Sequence, residues 1–124
     1  MKILPQYKLD IMRIVWNLNK KGITITSKNV SAIMKDRKGW QPSSTITALG
    51  KLVKDGFLED YIELRPKEFD VLIHEEEYLK FALEDFIENV HDGSVVSFIE
   101  SLIELDLIKK DELKKELSKY YDIY

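Results

Sequence analysis

The stretch that most constrains this chain is residues 40–58, WQPSSTITALGKLVKDGFL. Pro42 suits the first turn of a helix, where its missing N–H would have no partner in any case. Ala48, Leu49, Leu52 and Val53 then recur at helical spacing and predict one buried stripe. Ser43, Ser44, Thr47, Gly50, Lys51 and Lys54 fall on the other side, a face of small, hydroxyl-bearing and basic residues. Gly56 is placed to end the helix in a left-handed conformation, and Phe57 and Leu58 open a strand. A short helix over 42–55 with a strand directly after it reads as the recognition helix of a winged helix-turn-helix domain. Small polar side chains let such a helix sit deep in a major groove, and lysines meet the phosphates at the rim. An ordinary amphipathic helix with a solvated polar face shares the same periodicity and is the plainer alternative.

The flanks fit the first reading. Tyr7, Ile11, Ile14, Val15 and Leu18, widened by Met12 and Trp16, predict a helix over 6–20, with Pro5 at its start and Gly22 after its end. Residues 23–26, ITIT, are β-branched throughout and predict a brief strand. Thr26 or Ser27 can cap a second helix to about Asp36, with Val30, Ile33 and Met34 on its buried side. Beyond Gly56, FLEDYIELRPKEFDVLI has aromatic and branched flanks around Arg65, Pro66 and Lys67, a hairpin with a basic tip. Pro66 cannot donate to a ladder and belongs at that tip or at an edge. A basic wing over about 60–70 would reach a neighbouring phosphate or minor groove; a solvated loop with two surface charges is the alternative.

From Glu75 the character changes. Residues 1–73 carry 13 Lys/Arg against 8 Asp/Glu, whereas residues 74–124 carry 6 against 14. The first part could lie against a polyanion; the second would be repelled by one. Three amphipathic helices are expected there. The first runs from Glu75 to about His91, with Tyr78, Leu79, Ala82, Leu83, Phe86, Ile87 and Val90 on its apolar stripe. The second is capped by Ser94 and carries Val95, Val96, Phe98, Ile99, Leu102, Ile103 and Leu105. The third, about 110–121, carries Leu113, Leu117, Tyr120 and Tyr121. So few residues have too little depth to bury all these faces, and a second copy of the chain is the simplest cover. Packing back onto the N-terminal half is the competing explanation. Tyr120, Tyr121 and Tyr124 form an aromatic tail that either covers the dimer seam or frays.

The fold expected is therefore mostly α with a small β-hairpin: an N-terminal winged helix-turn-helix domain, residues 1–73, and a C-terminal three-helix dimerisation region, residues 74–124. There are no cysteines, so disulfides and thiolate metal sites are excluded. No apolar run nears the roughly 18–20 residues that span a bilayer, and no signal-peptide pattern precedes the first helix; a cytoplasmic protein with no membrane partner is expected. His74 and His91 are far apart, and Glu75, Glu76 and Glu77 fan around a helix start, so neither a metal, a cofactor nor an acid–base pair is expected. With no phosphate loop or nucleophile elbow either, the chain is not expected to be an enzyme.

The order of these motifs resembles the penicillinase-repressor family of bacterial transcription regulators. That family's pattern reads approximately W-x-P-x-T-V-K-T-L-L-T-R-L-V-K-K-G-(Y/F)-L, and residues 40–58 follow it without a gap. Met12 to Trp16 looks like its M-x-x-(I/V)-W, Glu75 to Leu79 its E-E-E-Y-L, Gly93-Ser94 its G-S, and Lys110 to Leu117 its closing E-E-E-L-x-x-L helix. The resemblance covers nearly the whole chain and implies a homodimeric repressor of a palindromic operator in double-stranded DNA, controlling a β-lactam resistance or related stress operon. Carried over residue by residue, it puts Ser44, Thr47, Lys51, Lys54 and Arg65 on DNA, and the polar helix face and basic tip add Ser43 and Lys67. The apolar stripes put Leu79, Leu83, Phe86, Phe98, Leu102, Leu113 and Leu117 in the dimer that the resemblance implies. The resemblance also implies a sensor-linked protease that cuts the C-terminal region of inducible members, at a position aligning with Ser101-Leu102.

The departures bear on function. Ile46 stands where the family usually has a lysine or arginine, and it either lies on a thymine methyl or packs inside. Lys51 replaces an arginine, a point charge in place of a planar fork, and Gly50 a hydroxyl. A different operator or weaker specificity follows. The Asn-Phe pair of the cleavage position is not retained, and the cysteine cluster of copper-responsive members is absent. The rival from another class is a winged-helix protein-interaction module that does not bind DNA specifically; Ile46 and the acidic overall charge favour it.

Overall fold

In the computed structural model, which describes residues 1–61 and 63–122, the chain forms two compact units, Met1–Phe81 and Ala82–Tyr124. The first is assembled on α1 (Gln6–Lys20), which buries Ile11, Met12, Ile14, Val15, Trp16 and Leu18. After it come β1 (Ile25–Thr26), α2 (Ser27–Lys38), α3 (Pro42–Lys54), β2 (Leu58–Tyr61) and β3 (Glu68–Val71). Three helices followed by a hairpin, with a short third strand closing the sheet, is the winged helix-turn-helix arrangement expected from the sequence.

Helix ends follow from local chemistry. The Thr26 hydroxyl accepts the Asn29 N–H at 3.0 Å and caps α2, the first of the two caps open to the sequence. Gly56, at φ 81°, ends α3: its N–H donates to the Val53 carbonyl and the Phe57 N–H to that of Leu52. Gly22 ends α1 in the same way, the Ile23 N–H turning back to the Leu18 carbonyl at 3.0 Å. That capping bond explains why β1 is shorter than the expected 23–26. With Ile23 engaged in closing α1, β1 pairs with β3 only as Ile25↔Phe69 and Thr26↔Glu68. β3 pairs on its other side with β2, from Leu58↔Val71 to Tyr61↔Glu68, so the strand order is β1-β3-β2, antiparallel throughout.

The core lies between α1, α2, α3 and one face of the sheet, where Val30, Met34, Leu49, Leu52, Phe57 and Leu58 are fully buried. On α2 it is Ser31, not Ile33, that joins Val30 and Met34 in the interior. Val53, expected on the buried stripe of α3, is half-buried, and Thr45 is buried instead. The hydroxyls of Ser31 and Thr45 have no hydrogen-bond partner among the described residues. Lys8 is buried as well, its ammonium 2.8 Å from Asp55, which also meets Lys2 at 2.8 Å. Hydrogen bonds from Lys2 and then Lys8 hold the Asp55 carboxyl below its ordinary pKa.

α4 (Glu75–Val90) begins inside this unit. Tyr78 is buried, its hydroxyl accepting the Leu4 N–H at 2.9 Å and its ring 5.9 Å from Trp16 and 5.7 Å from Phe57. The Trp16 indole N–H donates to the Ile73 carbonyl at 2.9 Å, just before the helix.

The second unit holds the rest of α4, then α5 (Val95–Glu104) and α6 (Lys110–Leu117). Asp92 and Gly93, both at positive φ, make the turn after α4, and the Ser94 hydroxyl caps α5 by accepting the Ser97 N–H. Phe86, His91 and Phe98 meet edge to face with centroids 5.2–6.0 Å apart. Neither α5 nor α6 buries a residue. α6 stops at Leu117, short of the expected 121. The next N–H groups of Lys119 and Tyr120 make tighter bonds, to Glu116 and Leu117, and Tyr120 and Tyr121 are exposed. Tyr124 lies outside the described residues.

Candidate nucleic-acid interface

α3 is anchored by Thr45, Ala48, Leu49 and Leu52, which are buried and fix the rotation of the helix. That rotation leaves Ser43, Ser44, Ile46, Thr47, Gly50, Lys51 and Lys54 exposed, so every candidate on this helix is accessible. Ser43, Thr47, Lys51 and Lys54 follow one another at three- and four-residue steps and form a continuous strip along the axis. Ser43, Ser44, Thr47 and Lys51 also line one open groove of about 330 Å³ with Tyr7, Trp40 and Ala48. Tyr7 and Trp40 form its aromatic wall, their rings 6.0 Å apart. Sequence reasoning places neither aromatic among the DNA-contacting residues, because only the packing of α1 beside the start of α3 brings the two together. Ile46 is 51% exposed on the other flank, which settles its place: it is not a core residue.

The hairpin is held by side chains as well as by its ladder. The Tyr61 hydroxyl donates to Asp70, which raises the phenol pKa above its ordinary value, and Lys67 pairs with Asp60 at 3.2 Å. Arg65 and Lys67 both lie between β2 and β3, as expected of a basic tip. They differ in exposure. Lys67 is half-buried and engaged by Asp60, whereas Arg65 is exposed, its guanidinium donating to the Leu64 carbonyl at 2.9 Å. Arg65 is the more accessible cation of the two. The last turn of α2 adds Lys35, Arg37 and Lys38, the last 3.8 Å from Asp10.

The C-terminal candidates separate by exposure. Leu79, Leu83 and Phe86 recur on one side of α4 and are 42–55% exposed, and Leu117 on α6 is 38% exposed. Phe98, Leu102 and Leu113 are half-buried. Ser101 and Leu102 sit inside α5, the Ser101 hydroxyl donating to the Ser97 carbonyl at 3.0 Å. Among the described residues no helix is long and apolar enough to cross a membrane.

A model of the penicillinase repressor family matches residues 5–122. The chain is 25% identical over 118 residues to the penicillinase repressor of Bacillus licheniformis, covering 93% of this chain and 89% of that one. It is 22% identical over 106 residues to the methicillin resistance regulatory protein MecI of Staphylococcus aureus, covering 86% and 83%. An uncharacterized 16.5 kDa protein of Latilactobacillus sakei is 30% identical over 81 residues, which cover 65% of this chain and 53% of that one.

Proposed function

The chain belongs to the penicillinase repressor family of bacterial transcription regulators, and on that premise we propose that it represses transcription as a homodimer on a palindromic operator. In this reading residues 1–73 carry the DNA contacts and residues 74–124 the dimer. α3 enters the major groove with Ser43, Ser44, Thr47, Lys51 and Lys54, and Arg65 and Lys67 touch the flanking backbone. Leu79, Leu83, Phe86, Phe98, Leu102, Leu113 and Leu117 meet their counterparts on a second copy. A β-lactam resistance or related stress operon is the target, by analogy with the two named relatives. The same reading includes release by a sensor-linked protease at Ser101-Leu102. Its support is the aligned position alone, since the residue pair itself is not retained.

The observation that carries the proposal is the exposed strip of hydroxyls and lysines on a helix whose other side is locked into the core. Its test is a fluorescence-anisotropy titration against the chain's own upstream intergenic DNA, with scrambled competitor, at two salt concentrations. Tight binding that survives competitor and weakens with salt is the expected result. Lys51→Ala and Arg65→Ala each lower the salt slope by about one. Unchanged slopes in both variants would remove those contacts from the proposal.

A second reading, a winged helix that contacts protein and not DNA, is favoured by the exposure of Ile46 on the same face. Absence of binding at low salt would select it.

A further inference from the structure

Two residues on the exposed side of α3 have no explanation within the chain. Ile46 is 51% exposed in the middle of a helix whose other exposed residues are small or basic. Gly50 follows one turn later. Its backbone is helical, and a Cβ added there would meet nothing within 4 Å. A glycine inside a helix costs stability relative to alanine, so an open position with an ordinary backbone is where alanine would be expected. The chain itself gives no reason for the missing side chain.

The two positions are coupled by helix geometry. A helical side chain leans back over the turn N-terminal to its own Cα, so a side chain at 50 would cover the region around residue 46. Gly50 adds no side chain over Ile46, which stays exposed on the helix side that also carries Ser43 and Thr47. Lys51 and Lys54 on the same helix side draw a polyanion onto this surface.

Resting on the DNA-binding reading above, we infer that Ile46 and Gly50 determine operator specificity: Ile46 takes the C5 methyl group of a thymine in the major groove, and Gly50 supplies the clearance. In the major groove thymine is the base that offers an apolar group; the other edges there are donors and acceptors. An isoleucine can satisfy none of those, and pressing it on them would strip their water without replacement. The methyl is the partner its chemistry fits.

The experiment starts from a duplex selected by the full-length protein from a randomised pool. Each thymine of a half-site is replaced in turn by deoxyuridine, which differs only in lacking that methyl, and Kd is measured for wild type, Ile46→Ala and Ile46→Val. Both variants alter an exposed side chain, and circular dichroism confirms the fold. Wild type is expected to lose about fourfold at one thymine per half-site, the worth of one buried methyl. Ile46→Val retains that loss and Ile46→Ala abolishes it, while Gly50→Leu weakens binding to the unmodified duplex. If wild type separates selected from scrambled DNA but no deoxyuridine matters, or if Ile46→Ala keeps the same sensitivity, the inference falls and DNA binding stands. If the pool yields no preferred sequence, both fall.

Discussion

In the N-terminal unit Val30, Leu52 and Phe57 are wholly buried, whereas on α5 Val95, Val96, Ile99 and Ile103 remain 38–66% exposed. Val30 lies on α2, Leu52 on α3 and Phe57 between α3 and β2, yet α5, with six apolar residues in ten, is the most apolar of these helices. The difference is in layers: the first unit packs three helices against a sheet and closes over its apolar faces, while α5 and α6 bury no residue. An apolar stripe therefore shows that a face will be covered, not by what. In the first unit the stripe describes a core; in the second it describes a surface that the proposed partner copy would complete.

The sharpest way to break this contrast is to remove equal kinds of side chain from each region. Phe57→Ala empties a fully enclosed site and is expected to cost about 3–5 kcal/mol in a thermal or denaturant melt. A loss under about 1 kcal/mol would mean the unit is not closed as described. Leu83→Asp, on the exposed side of α4, should leave the melting of the N-terminal unit unchanged yet weaken self-association by about a hundredfold, since each substitution counts in both copies. Sedimentation reads this directly: the wild-type chain is expected near twice its 14.6 kDa at micromolar concentration, and the variant at the single mass. A wild-type monomer that still occupies an operator would remove the C-terminal role.

Asp55 tests how the N-terminal unit is fastened. Asp55→Asn strands the buried Lys8 ammonium and is expected to cost about 1–2 kcal/mol. Because the native carboxyl sits below its ordinary pKa, its contribution is complete above the unfolded Asp value of about 4 and is lost as pH falls through the lower native value. The wild-type melt should therefore lose ground to Asp55→Asn as the solution is acidified below about pH 4. A gap that stays constant would show that Asp55 acts without its charge. Gly50→Ala is the smallest expected effect and has the opposite sign, a gain of about 0.5–1 kcal/mol in stability. A destabilised Gly50→Ala would mean that the glycine serves the fold itself.

Much of this is readable from residues alone, for reasons that are local. The bounds of α1, the start of α3 at Pro42, the Thr26 and Ser94 caps and the glycine at the end of α3 each depend on a few neighbours. What cannot be read depends on distant partners. Lys8 looks like a surface lysine until Asp55, 47 residues on, closes over it. Tyr7 and Trp40 become one wall only after α1 and α3 are packed. On α2 the rotation that buries Ser31 in preference to Ile33 is set by its neighbours, not by its own pattern. At the interface, the exposed strip on α3 is legible because periodicity assigns both sides of a helix at once. Ile46 is not, because an apolar residue at the edge of a stripe can turn either way, and the core on the other side decides.

Tyr78 has a consequence for how this protein can be taken apart. It belongs to α4 by sequence, yet it fills the N-terminal interior between Trp16 and Phe57 and holds the Leu4 amide. A gene shortened after codon 73 would lack that plug and expose the rings it covers, so the smallest exportable DNA-binding module carries the first turns of α4, to about Phe81. The boundary between the two units thus falls inside a helix and not in a linker. A chimera joined ahead of Tyr78 inherits a fixed obligation, an aromatic hydroxyl one turn into the incoming helix, whereas one joined after Phe81 keeps the native tyrosine.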